Sequence, residues 1–234
     1  MSRIDQTPSP TPQSNNLLLA SIAIVLSLVV AGLVHQVIWR PAAAVSSAVA
    51  TQAQQLREGE RDLGDGNIRD AYNAFDRLAA RNDIDAEYWL AHMTELGLGV
   101  ERNIPKAIAL YEKAAAEGST PAETRLGEIY LQGDVTLPDY AKAFSLLGRA
   151  ARQGDPRAAM VLGRMVRLGL GAPADPVESY AWSEVAVLEG FGFARSERDD
   201  AFAVMTPADR NKGVARATAI LDEIRKAPEP PKAS

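Results

Sequence analysis

A chain of 234 residues with formal charge −5, 47% hydrophobic and only 6% aromatic residues has room for one helical domain packed through small side chains. It shows no basic stripe, which argues against a nucleic-acid partner. With no cysteine and two histidines, disulfides, thiol catalysis, a lipidated cysteine and most transition-metal sites are excluded.

In chain order, residues 1–15 carry Pro8, Pro10 and Pro12 among polar residues and read as a disordered tail. Residues 16–39 read as a transmembrane helix. Leu17 to Val34 holds no charge, and the apolar run continues to Val37, Ile38 and Trp39. At 1.5 Å per residue, about 23 residues span roughly 34 Å, enough for the hydrocarbon layer. Trp39 and Arg40 suit the interface, and His35 falls near the same boundary. Ala23, Ser27 and Ala31 recur every four residues, a small-residue stripe that allows close packing against another membrane helix. A cleaved secretory signal is the competing account, with Ala42–Ala44 or Ala48–Ala50 as the processing site. The length of the apolar run and Arg3 as its sole preceding side-chain cation favour a retained anchor. Arg3 and Arg40 give almost no orientation bias. A short tail held inside with a translocated domain would place the rest in the periplasm of a bacterium, at the inner membrane.

Residues 40–50 read as a linker and 51–85 as a degenerate capping unit, in which Ala71, Phe75 and Ala79 keep columns that become regular downstream. From residue 86 to 190 those columns repeat every 36 residues without a gap. Leu90, Leu126 and Leu162 form one; Gly97, Gly133 and Gly169 another; Ala114, Ala150 and Ala186 a third. A fixed period of this length means stacked supersecondary units. Ala122, Leu126, Ile129 and Tyr130 form the apolar stripe of a first helix, A, which Gly133 ends. Asp139 caps a second helix, B, with its stripe at Ala143, Leu146, Leu147, Ala150 and Ala151. Gly127 and Gly163 sit inside the A helices, where glycine costs up to about 1 kcal/mol relative to alanine, so their recurrence points to a close backbone crossing. Residues 191–227 read as capping helices, with one starting at Thr206-Pro207, and 228–234 as a disordered tail.

The columns from Ala86 to Gly190 resemble the Sel-1-like repeat family, a subclass of tetratricopeptide-like repeats. The matches include Gly97, Gly99, Lys106, Ala107, Tyr111, Lys113 and Gly118 in the first copy, and Leu126, Gly127, Tyr130, Asp139, Lys142 and Gly154 in the second. The third is looser, with Glu178 and Val185 replacing the usual lysines. The resemblance implies an all-α fold: a right-handed α/α solenoid of helix pairs, here with one amino-terminal transmembrane helix. It also implies a concave groove lined by A helices. The groove columns of such relatives fall on Tyr88, His92 and Glu95; on Thr124, Glu128, Leu131 and Gln132; and on Met160, Arg164 and Arg167. An extended peptide or helix of a protein partner would lie there, with Arg164 and Arg167 pairing a carboxylate.

No nucleophile, base and orienter can be named together, and Gly97-Leu98-Gly99 is a repeat turn without a nucleotide fingerprint. No enzyme, metal or cofactor is expected. The sequence therefore reads as a membrane-tethered interaction scaffold or adaptor, serving as an accessory or assembly factor for a bacterial inner-membrane or periplasmic complex. The alternative is an integral structural subunit, or a homo-oligomer, held mainly through its membrane helix.

Overall fold

Every 36-residue copy folds as two helices of 13 residues, because each carries its own start and stop signals. The structure, a computed structural model, describes residues 40–133 and 137–227, with side chains from Val49 onward. Among the described residues ten α-helices follow in order: α1 Arg40–Gly64, α2 Ile68–Ala79, α3 Ile84–Leu96, α4 Ile104–Ala116, α5 Thr120–Gln132, α6 Tyr140–Arg152, α7 Pro156–Leu168, α8 Pro176–Leu188, α9 Arg195–Ala203 and α10 Pro207–Lys226. A 3-10 turn, Gly192–Ala194, precedes α9. Helices α3, α5 and α7 are the A helices; α4, α6 and α8 are the B helices.

The starts are side-chain caps. Asn103, Asp139 and Asp175 accept hydrogen bonds from the backbone N–H of Lys106, Lys142 and Val177 at 2.9, 2.9 and 2.8 Å. Asp83 does the same for Ala86 at 2.9 Å. Each satisfies one donor that the first helical turn leaves open. The A helices stop at Gly97, Gly133 and Gly169, whose φ angles of 74°, 74° and 68° are left-handed and favour glycine.

Successive helices pack as neighbours, from α2 on α3 through to α8 on α9 and α10. The apolar stripes close into a chain of cores. Ala71, Phe75, Ala86 and Met93 form one; Ala91, Tyr111, Ala122 and Leu126 the next. The largest runs from Ala143 and Leu147 through Leu162 and Trp182 to Ala217 and Ile220. Gly127 and Gly163 mark the closest crossings: a Cβ added at either would stand 2.6 Å from Leu147 Cγ or 2.5 Å from Ser183 Oγ. Helix α10 covers the apolar end of the third copy, with Ala217 and Ile220 almost fully buried.

The helices from Gln54 onward form one compact unit. Residues 40–50, expected as a linker, are helical and form the start of α1; their run of alanines favours helix over an open connection. The expected membrane span over 16–39, its Ala23, Ser27 and Ala31 stripe, and the tails at 1–15 and 228–234 lie outside the described residues. Among the described residues no helix is long and apolar enough to cross a membrane.

Candidate interaction surface

Helices α3, α5 and α7 come into register so that acids late in one A helix meet bases early in the next. The Glu95 carboxylate accepts from Tyr111 Oη at 2.8 Å and from Arg125 Nε at 3.0 and 3.1 Å. Arg125 Nη1 also donates to Glu128 at 2.8 Å. Glu128 accepts in turn from Arg157 Nε and Nη2 at 2.6 and 2.8 Å. Beside this ladder the Thr124 hydroxyl donates to Asp155 at 2.6 Å. Glu95 and Glu128 are only 5% and 6% exposed, so each carboxylate depends on these partners for the hydration it has lost.

The electrostatics follow from that burial. Loss of water alone would raise the Glu95 carboxyl, but hydrogen bonds from Arg125 and Tyr111, with His92 Nδ1 3.8 Å away, outweigh it and hold the group well below the usual carboxylate range. Tyr111 is pushed far up by burial and by the adjacent Glu95 charge. Arg125 is raised by its hydrogen bond to Glu95.

An aromatic group closes one end of the ladder. Tyr88 stacks on His92 with ring centroids 6.0 Å apart and planes 5° apart, and His92 Nδ1 lies 3.3 Å from Tyr111 Oη. Burial also raises the Tyr88 hydroxyl. At the other end the Arg157 and Arg164 side chains stay 55% and 40% exposed.

Of the residues expected to line a groove, Tyr88, His92, Glu95, Thr124 and Glu128 come together in or beside the ladder. Glu95, Thr124 and Glu128 do not stand free toward solvent as an open groove requires; each is buried against a partner of its own chain. Leu131 and Met160 are half-buried against the large core, and Gln132 is exposed. Arg164 and Arg167 converge, but on Glu197 of α9, at 3.8 and 2.8 Å. Glu197 thus already provides the carboxylate expected from a partner. The groove columns did not include Arg125, Arg157 or Tyr111, which build the ladder. Their signal is a base 29 or 30 residues after an acid, one A helix further on.

A second set of ties joins A to B within a copy. Buried Glu87 takes Lys113, and Glu123 takes Arg149 at 2.7 Å and Gln153 at 3.1 Å. One period later the same two positions are Ala159 and Val185, so an apolar contact replaces the ion pair in the third copy. Among the described residues no group of three or more histidine and carboxylate side chains is placed to hold a metal ion.

Nearest-neighbour helix pairs with a polar A face define a tetratricopeptide-like helical-repeat protein. The chain is similar to the Sel1 repeat over residues 84–119, 120–155 and 156–191, three consecutive copies. It resembles the crystal structure of a Sel1 repeat protein from Oxalobacter formigenes, with a TM-score of 0.62 and 26% identity over 75% of this chain and 74% of that one. The fold is also shared with c5321, a protective antigen of uropathogenic Escherichia coli, at a TM-score of 0.51 and 23% identity, covering 74% of this chain and 46% of that one. In sequence it is 31% identical to the Sel1-repeat-containing protein YjcO of Escherichia coli K12 over 129 residues, 47% of this chain and 56% of the relative. The chain therefore spans little more than half the length of that relative. A 54-residue stretch is 43% identical to rat DAP3-binding cell death enhancer 1, covering 23% of this chain and 11% of that protein. Sel1-repeat proteins generally mediate protein–protein interactions.

Proposed function

We propose that this protein is a membrane-tethered adaptor whose A-helix face binds an acidic, extended segment of a partner protein. One observation carries the reading: on this face Glu95 and Glu128 are engaged within the ladder, while Arg157 and Arg164 remain exposed. Each arginine already holds a carboxylate of its own chain, Glu128 and Glu197 respectively, and its exposed edge is left for a further carboxylate of the partner. Tyr88 and His92 supply a flat aromatic surface at the opposite end of the same face. The tether is residues 16–39, read from their uncharged apolar run, with the repeats on the periplasmic side of a bacterial inner membrane and an accessory or assembly role there.

The test is crosslinking and co-purification of the full chain from native membranes, beside the variant R157E/R164E. Partners held by the native chain and lost from the variant support the face; an unchanged set overturns it. Deleting residues 1–41 separates an adaptor, which still captures its partner from solution, from an integral subunit, which does not. Retention of the native chain in carbonate-washed membranes and release of the deleted chain support the tether.

A further inference from the structure

The 36-residue frame exposes a difference between two equivalent junctions on the opposite side of the array, between neighbouring B helices. At the first junction Tyr130 Oη donates to Glu112 at 3.0 Å, and Lys142 lies over the Tyr130 ring at 4.2 Å while donating to its hydroxyl at 2.8 Å. This plug leaves a cleft of about 270 Å³. One period on, Tyr130 becomes Val166, Glu112 becomes Gly148 and Lys142 becomes Glu178. With the plug gone, the cleft between α6 and α8 opens to about 540 Å³. That is the size of pockets that take small ligands or side chains.

Its floor is apolar, with Phe144, Leu162, Val166 and Trp182. Its rim carries two cations. Arg216 is neutralised by Glu178 at 2.6 Å. Arg152 lies over Gly148, where a Cβ would meet its Nη2 at 3.4 Å, and has no carboxylate partner among the described residues. A guanidinium with no carboxylate partner among the described residues, beside an apolar floor, selects an apolar side chain with a carboxylate next to it.

We propose that this cavity is a second docking site, taking a leucine- or phenylalanine-type side chain of a linear partner segment while a neighbouring aspartate or glutamate pairs Arg152. The site is separate from the A-helix face and stands or falls without it. The experiment is a decapeptide array with leucine, phenylalanine or alanine at the centre and aspartate or lysine beside it, probed with the full chain in mild detergent. Leucine and phenylalanine peptides flanked by aspartate should be retained at least about tenfold above alanine-centred or lysine-flanked ones, roughly 1.4 kcal/mol. G148E/V166Y, which rebuilds the plug, and R152E, a change on the exposed rim that leaves the core alone, should each abolish that preference; R157E/R164E should keep it. Equal retention of aspartate and lysine peptides, no retention above alanine, or a preference that survives R152E overturns the proposal. If R157E/R164E loses native partners while the array shows no preference, the A-face reading stands and this one falls.

Discussion

A Cβ built on Gly163 stands 2.5 Å from Ser183 Oγ, 3.0 Å from the Ser179 carbonyl oxygen and 3.2 Å from the Ser183 backbone nitrogen, so alanine there must push helix α8 away. At Gly127 the obstacle is the branched end of Leu147, at 2.6 Å from Cγ and 3.0 Å from Cδ2. Alanine gains up to about 1 kcal/mol of helix propensity over glycine, whereas overpacking a close-packed crossing costs about 1–3 kcal/mol. Overpacking wins most clearly where the neighbour is backbone. G163A should therefore lower the midpoint of thermal unfolding more than G127A does. Adding S183A to G163A should recover part of the loss, because the hydroxyl goes but the Ser179 carbonyl stays. An equal or higher midpoint for G163A would show that the two helices can separate freely.

Between elements, the ladder from Tyr111 through Glu95, Arg125 and Glu128 to Arg157 makes acid stability measurable. Glu95 titrates lower folded than unfolded, so its contribution is fully present above the unfolded value, near 4.3, and is lost as pH falls toward the folded one. Native protein should lose stability more steeply than E95Q below about pH 4.3, by up to about 1.4 kcal/mol per pH unit for one proton. Urea unfolding from pH 7 to pH 3 reads this directly, and parallel curves would mean Glu95 is not held by its partners. At pH 7, E95A leaves Arg125 with Glu128 alone and should cost about 2–3 kcal/mol, less than the full price of an orphaned buried charge. The helices themselves were legible in the sequence because caps such as Asp139 and stops such as Gly133 act locally and recur every 36 residues. The ladder was not. Its pairs join residues 29 or 30 apart, out of step with the period, and only the stacking of A helices brings Arg125 to Glu95. For the same reason Arg164 and Arg167 looked available in the sequence, since Glu197 belongs to a capping helix outside the repeat columns.

At the scale of the array, each copy has little core of its own and borrows it from the next. Trp182 and Val185 of the third copy share one cluster with Leu147 of the second and with Ala217 and Ile220 of α10. In a chain of nearest-neighbour interfaces, the loss of a terminal unit is felt most by the unit beside it and fades with distance. Removing residues 191–234 uncovers the surface of α8 that Ala194, Ala217, Ile220 and Leu221 now bury. Exposing contacts made by side chains of this size removes about 1.5–3 kcal/mol for each large aliphatic one. Hydrogen exchange of the truncated chain should therefore show the largest drop in protection in α8 and α7, a smaller one in α6 and α5, and the least in α3 and α4. The A–B ties support this order, since that of the third copy is the apolar pair Ala159 and Val185, whereas the first two copies keep their Glu87–Lys113 and Glu123–Arg149 pairs. A uniform drop across all six helices would mean that the array opens as one cooperative block and that its copies do not act as separable neighbours.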